Sequence, residues 1–331
     1  MDDKMIIDFI NNVEPDISYG SSDGMTRAMV ESAENMALIN DFITESAYEV
    51  YTETEDKQGF FAKVKNKVSV YFTLLINLIK KFIAKIKGFF VMVRRKLTAA
   101  MAKAVKSVAS FLNNRINNHK QKFSAKENIE IYDWDPSALT GLHKIIEDQK
   151  IDIYRPYTVE EAKQIVEAMK NSISANIQDD KPQNGLLKTT TVSFDPTKAD
   201  KFLESYLNKK ISEPINSTYN ILMKSASKKI KELREVEKIV VASMKSFSGD
   251  EFKAKKDKYK GFYKGLNVLI NGLNSVAYKA AQAVASGVFK YYRKLFSAVK
   301  KVLVGFRISN GKETKKEEAK TESYNILDQI Q

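Results

Sequence analysis

Residues 57–126 carry 17 Lys or Arg and no Asp or Glu, and the apolar positions inside that run keep helical spacing. Val64, Val68, Phe72, Leu75 and Ile79 step by three or four, and the series continues through Phe82, Ile86, Phe89, Val93 and Leu97 to Phe111. Such spacing lays one apolar stripe along a helix or a helical pair and leaves the bases on the remaining surface. Gly88 is where a kink or break is expected, and "NNRINNHKQ" at 113–121 is the expected exit.

The run does not read as a membrane span. Its longest charge-free apolar stretch, 68–79, has 12 residues, against the ~20 that a bilayer core requires. Lys80, Lys81, Lys85 and Lys87 follow at once. A second uncharged stretch at 265–278 is diluted by Asn267, Asn271, Asn274 and two Gly. The start, "MDDKMIIDFINN", is acidic where a secretory signal is basic.

Charge is segregated along the chain. Residues 1–56 carry −12, 57–126 carry +17, 127–251 carry −3 and 252–331 carry +11, within a net charge of +13. A solvated helix face normally mixes Glu with Lys, because like charges at i,i+4 cost about 0.2–0.5 kcal/mol per pair. Lys81 and Lys85 stand at that spacing, and Arg94, Arg95 and Lys96 crowd together. An anionic counterpart is therefore expected near these bases.

The rest divides by pattern. Residues 1–56 read as an acidic helical leader and 57–126 as a basic amphipathic helical arm. Residues 127–213 read as a small α+β domain with strands near 128–135 and 186–194. Within it, Pro136 opens one helix, and Thr158 and Glu161 form a capping box for a helix from Val159 that ends in a loop from about 171. Asp195 and Pro196 cap and start another helix, ending near Lys209. Residues 214–250 read as a separate long charged helix. A second basic amphipathic arm occupies 251–308, and 309–331 is a polar tail with a disordered composition. The fold class is mainly α with a small α+β middle domain, flanked by long basic amphipathic helices. The two arms are expected to pair antiparallel, with their bases lining a common outer face.

Catalytic chemistry is not indicated. The chain has no Cys and two His, and it lacks the P-loop, dinucleotide, zincin and nucleophile-elbow patterns. Asp133 and Asp135 flank Trp134 and are read as solvent-facing acids around a half-buried ring, in preference to a catalytic pair. Ser137, His143 and Asp148 are sequence neighbours without triad logic. No enzyme, cofactor or metal is expected.

Three counterparts suit the basic surface: the acidic leader itself, the phosphates of nucleic acid, or an anionic membrane. Phosphate binding needs charge without base specificity, which a Lys-dominated face supplies. The candidate contact residues are Lys80, Lys81, Lys85, Lys87, Arg94, Arg95, Lys96, Arg293, Lys294, Lys300 and Lys301. The membrane alternative uses Phe60, Phe61, Phe72, Phe82, Phe89 and Phe90 as interfacial anchors, and it weakens if the same stripe folds the domain.

An acidic leader bearing Met and Ala, followed by Lys-punctuated, Phe-rich amphipathic helices, resembles the structural and internal head proteins of large contractile-tailed bacteriophages. The likeness is one of layout, over roughly the first third and last quarter of the chain. It implies a non-enzymatic virion protein, located in the capsid interior or in host cytoplasm during assembly, that meets DNA or other virion proteins. It also implies removal of the leader by a prohead protease after Ile/Leu-x-Glu. Ile43-Thr44-Glu45 followed by Ser46 matches, and cutting there would remove −8 and leave a chain of +21. The same tripeptide recurs ending at Glu147, Glu213 and Glu235, where helices are expected.

Overall fold

A computed structural model describes residues 57–119, 126–147, 151–177, 185–245 and 249–309. The leader, the cleavage pair Glu45 and Ser46, and the tail beyond 309 lie outside them. The order is α1 (Lys57–His119), β1 (Glu127–Trp134), α2 (Pro136–Glu147), α3 (Val159–Ile177), β2 (Leu187–Phe194), a 3-10 turn (Pro196–Lys198), α4 (Ala199–Met244) and α5 (Gly249–Ser309). The class is mainly α with a small α+β middle, as the sequence predicts.

α1 is one helix of 63 residues, about 95 Å long at 1.5 Å per residue. The break expected at Gly88 is absent, and the helix runs past the expected exit at 113. A glycine within a helix costs about 0.5–1 kcal/mol, whereas each fully buried Leu, Ile or Phe contributes about 1.5–3 kcal/mol. Phe72, Leu75, Ile79, Ile86, Val93 and Leu97 are all buried, so the stripe outweighs the glycine.

β1 and β2 pair antiparallel, with Glu127 opposite Phe194 and Trp134 opposite Leu187. Asp135 caps α2 by accepting from Ser137 N at 2.8 Å. The capping box of α3 forms as the spacing requires: Thr158 Oγ1 accepts from Glu161 N at 3.1 Å, and Glu161 Oε2 accepts from Thr158 N at 3.0 Å. α3 continues beyond the expected loop at 171 because Ile173 and Ile177 are buried. Asp195 caps the 3-10 turn that leads into α4, accepting from Thr197 N at 3.0 Å.

The two helices expected either side of 210–214 are a single helix, α4, with Pro214 inside it. Proline removes the N–H that would bond to the carbonyl four residues earlier. Here that carbonyl, on Lys210, accepts from the Trp134 indole at 2.7 Å. The helix therefore passes the proline with its freed carbonyl satisfied.

α5 is a central helix and not a flanking arm. From Tyr263 to Leu303 it is buried through most of its circumference, by α1 on one side and by α3 and β1 on another. Two glycines admit these neighbours. A Cβ on Gly265 would lie 2.0 Å from the Tyr157 carbonyl oxygen, and one on Gly272 would lie 2.1 Å from Val166 Cγ2.

The long helices have defined directions. Tyr71 donates to the Tyr263 carbonyl at 2.7 Å, Phe89 packs on Tyr278 with ring centroids 5.6 Å apart, and Tyr292 donates to the Ala100 carbonyl at 3.4 Å. Residue numbers rise together on both helices, so α1 and α5 are parallel, which corrects the antiparallel expectation. α4 returns between them in direction: Ser243 meets Tyr259 across its junction with α5. It is thus antiparallel to both. α1 packs on α4 and α5, whereas α2 packs on the same pair, and α3 and the sheet on α5, without substantial contact to α1.

Candidate anion-binding face

The α1 candidates Lys80, Lys81, Lys85, Lys87, Arg94, Arg95 and Lys96 are all exposed, opposite the buried stripe. They follow from the stripe itself, since a helix that buries one face must turn its remaining positions outward. Arg94 donates to Asn216 Oδ1 of α4 at 2.5 Å. Exposed apolar side chains interrupt the basic arc at Val70, Val91 and Met92, with Val91 the most open at 59%.

Two of the α5 candidates, Lys294 and Lys301, turn away from this face. Lys294 pairs with Glu130 of β1 at 2.6 Å and lies 5.5 Å from the Tyr132 ring centroid. It follows Tyr292, which meets α1, by two residues and so projects about 200° away around the helix. Lys301, seven residues on, keeps that direction. Arg293 and Lys301 are exposed, while Lys300 is half-buried and burial lowers its pKa. Lys294 and Lys301 thus leave the common outer face expected of the two arms, while Arg293, one residue after Tyr292, projects about 100° from the side that meets α1.

Six carboxylates beyond α1 pair with bases outside it. Ion pairs among the described residues include Arg155–Glu161, Lys198–Asp195, Lys210–Asp133, Lys224–Glu147, Lys228–Glu232 and Lys294–Glu130. None of these six takes a base from α1.

Asp133 and Asp135 are structural, although neither is simply solvent-facing. Asp133 holds Lys210 Nζ at 2.8 and 3.0 Å and accepts from Trp134 N at 2.9 Å. Trp134 is buried, not half-buried. His143 is half-buried with its Nε2 2.9 Å from the Oγ1 of Thr218, which is fully buried on α4, and it is not brought together with Ser137. Glu147, Glu213 and Glu235, which end the recurring tripeptides, all fall on helices.

Among the described residues no group of three or more His, Asp or Glu could hold a metal ion, and no helix is long and apolar enough to cross a membrane. Comparisons with protein-family models, with curated proteins and with solved structures returned no match.

Proposed function

We propose that the chain is a non-enzymatic nucleic-acid-binding structural protein, of the kind packed inside a phage head, and that α1 supplies its phosphate-binding face. The observation that carries this reading is the exposed, acid-free arc of α1. From Lys65 to Lys106 the arc extends about 60 Å. Lys and Arg spread along such a length displace counterions from a phosphate backbone without reading sequence.

The membrane alternative loses its anchors. Phe72 and Phe90 are buried and Phe82 and Phe89 are half-buried against the core, so the stripe that would enter a bilayer already holds α1 to α4 and α5. In the proposed reading the acidic leader covers the basic body during assembly, and its removal after Glu45 frees that body for packaged DNA.

Titration with a duplex of random sequence tests the binding. Affinity should fall steeply as salt rises, and Glu at Lys80, Lys81, Arg94 and Arg95 together should abolish retention. Absence of binding at low salt, or unchanged retention by that variant, would refute the assignment. Leakage of anionic vesicles that survives high salt would favour the membrane instead. Mass spectrometry of protein from mature particles should find Ser46 at the N-terminus. An uncut chain there would remove the leader's role.

A further inference from the structure

We infer that the phosphate path runs along the cleft between α1 and α4, and that α4 supplies its second row of bases: Lys231, Arg234 and Lys238. The inference rests on the nucleic-acid reading above and specifies where on the molecule the phosphates lie.

Two contacts align the helices. Phe90 packs on Tyr219 with ring centroids 6.2 Å apart, and Arg94 donates to Asn216. Because the helices are antiparallel, residue numbers that total about 310 lie level. Arg94 marks the flank of α1 that faces α4. Lys80 and Lys87 precede it by two heptads and one, and a heptad drifts only ~20° around a helix. Asn216 marks the matching flank of α4. Arg234 is 18 residues beyond it, about five full turns at 3.6 residues each, so it returns to the same flank. Lys231 and Lys238 occupy the adjacent turns.

All six of these bases are exposed. Lys238, Arg234 and Lys231 stand level with α1 positions of about 72, 76 and 79, before Lys80, Lys87 and Arg94 continue the row. Packed helix axes are 8–10 Å apart, so the α4 row and then the α1 row follow one another along a single strip about 33 Å long. Each strand of a duplex presents one charge per ~3.4 Å of its axis, so a strip of that length can engage one backbone with both rows. Of the α4 carboxylates, Glu237 is half-buried on this flank and Glu213 is exposed beyond the level of Arg94. Glu232 is turned the other way, and Glu235, an i+4 neighbour of Lys231, borders the α4 row on the side away from α1, where it accepts from the Tyr154 hydroxyl. The strip thus keeps a positive excess: six bases, three of them from α4, against Glu235 and Glu237.

The test compares two triple variants of the full chain by titrating a 30-base-pair random duplex at several salt concentrations. In the first, Lys231, Arg234 and Lys238 become Gln, which preserves helix propensity. In the second, Lys81, Lys96 and Lys103 on the opposite flank of α1 become Gln. Circular dichroism confirms that each is folded. The α4 triple should weaken binding at least about tenfold and reduce the slope of log K against log salt by about 2.7, at 0.9 per phosphate contact. The α1 triple should lose less. If the α4 triple matches the parent in affinity and slope, the cleft is overturned while the nucleic-acid reading stands. If the parent itself shows no salt-dependent binding, that reading fails and the cleft falls with it.

Discussion

Trp134 donates its indole N–H to the Lys210 carbonyl over 2.7 Å, and Lys210 stands four residues before Pro214. The donor that proline removes from α4 is thereby replaced from the end of β1. Lys210 is also held through its ammonium, which meets both carboxylate oxygens of Asp133. One residue pair in the sheet thus fixes the main chain and the side chain of a single α4 position.

Replacing Trp134 with Phe should destabilise the fold by about 1–3 kcal/mol beyond the lost volume, because a buried acceptor is left unpaired. Pro214→Ala in that background should recover most of this term by restoring the intrahelical N–H. Urea unfolding followed by circular dichroism gives the four corners of the cycle. Equal costs of Trp134→Phe with and without Pro214 would show that the carbonyl is not the point of coupling.

How far the sequence foretold these features depends on the range of the forces involved. The α1 stripe was legible because period-3.6 burial is written locally, and the α3 box because both partners lie three residues apart. Gly88 and Pro214 misled because breaker rules count local cost alone. The Leu75, Ile79, Ile86 and Val93 burial that overrides Gly88, and the Trp134 donor that rescues Pro214, belong to tertiary structure. The relative direction of α1 and α5 has no local signature, since nearly 130 residues separate the helices. The central place of α5 did leave a trace: a run without charge over 265–278, followed by Gly and Ala where other helices carry Lys, marks an enclosed helix. The α4 half of the cleft was hidden because acids and bases alternate in sequence, and which of them border α1 is decided by how the two helices pack.

Three glycines in long helices should respond differently to alanine. Gly88 has open space at its Cβ position, so Gly88→Ala should stabilise by about 0.5–1 kcal/mol. Gly265→Ala drives a methyl into the Tyr157 carbonyl, and backbone cannot yield as a flexible side chain does, so a loss of about 3 kcal/mol or more is expected. Gly272→Ala meets the Val166 side chain instead and should be partly rescued by Val166→Ala. Thermal melts rank the variants. A harmless Gly265→Ala would contradict the close approach of the 151–157 loop to α5.

His143 should make the fold sensitive to mild acid. Burial lowers its pKa from the usual 6.5, against the opposing pull of Glu147. As pH falls below 6.5 the unfolded chain takes up the proton first, so folding stability declines until the folded-state pKa is passed. Thr218, fully buried, faces the ring through its hydroxyl, and Lys224 holds Glu147 from α4. Urea midpoints from pH 8 to 5 should fall for the parent and flatten over this window in His143→Gln. An unchanged pH profile in the variant would assign the acid response to carboxylates.

Lys229 should act in the opposite pH range. Burial lowers its pKa from 10.5 to about 8, only partly countered by Glu232 and with Lys228 adding to the depression. Its ammonium donates to Ser225 Oγ at 3.1 Å. A folded-state pKa below the unfolded one means that the unfolded chain holds more protons between pH 8 and 10.5, so stability rises with pH there. Below pH 8 the cost of the buried charge is fully present, up to about 3 kcal/mol at 1.36 kcal/mol per pKa unit. Lys229→Met should therefore raise the urea midpoint at pH 7 and remove the gain between pH 8 and 9.5. That window stops short of the buried tyrosines, whose raised pKa values, about 12 for Tyr292, cause loss of stability above pH 10. If Lys229→Met is less stable than the parent at pH 7, the ammonium reaches solvent and the burial argument for this lysine is wrong.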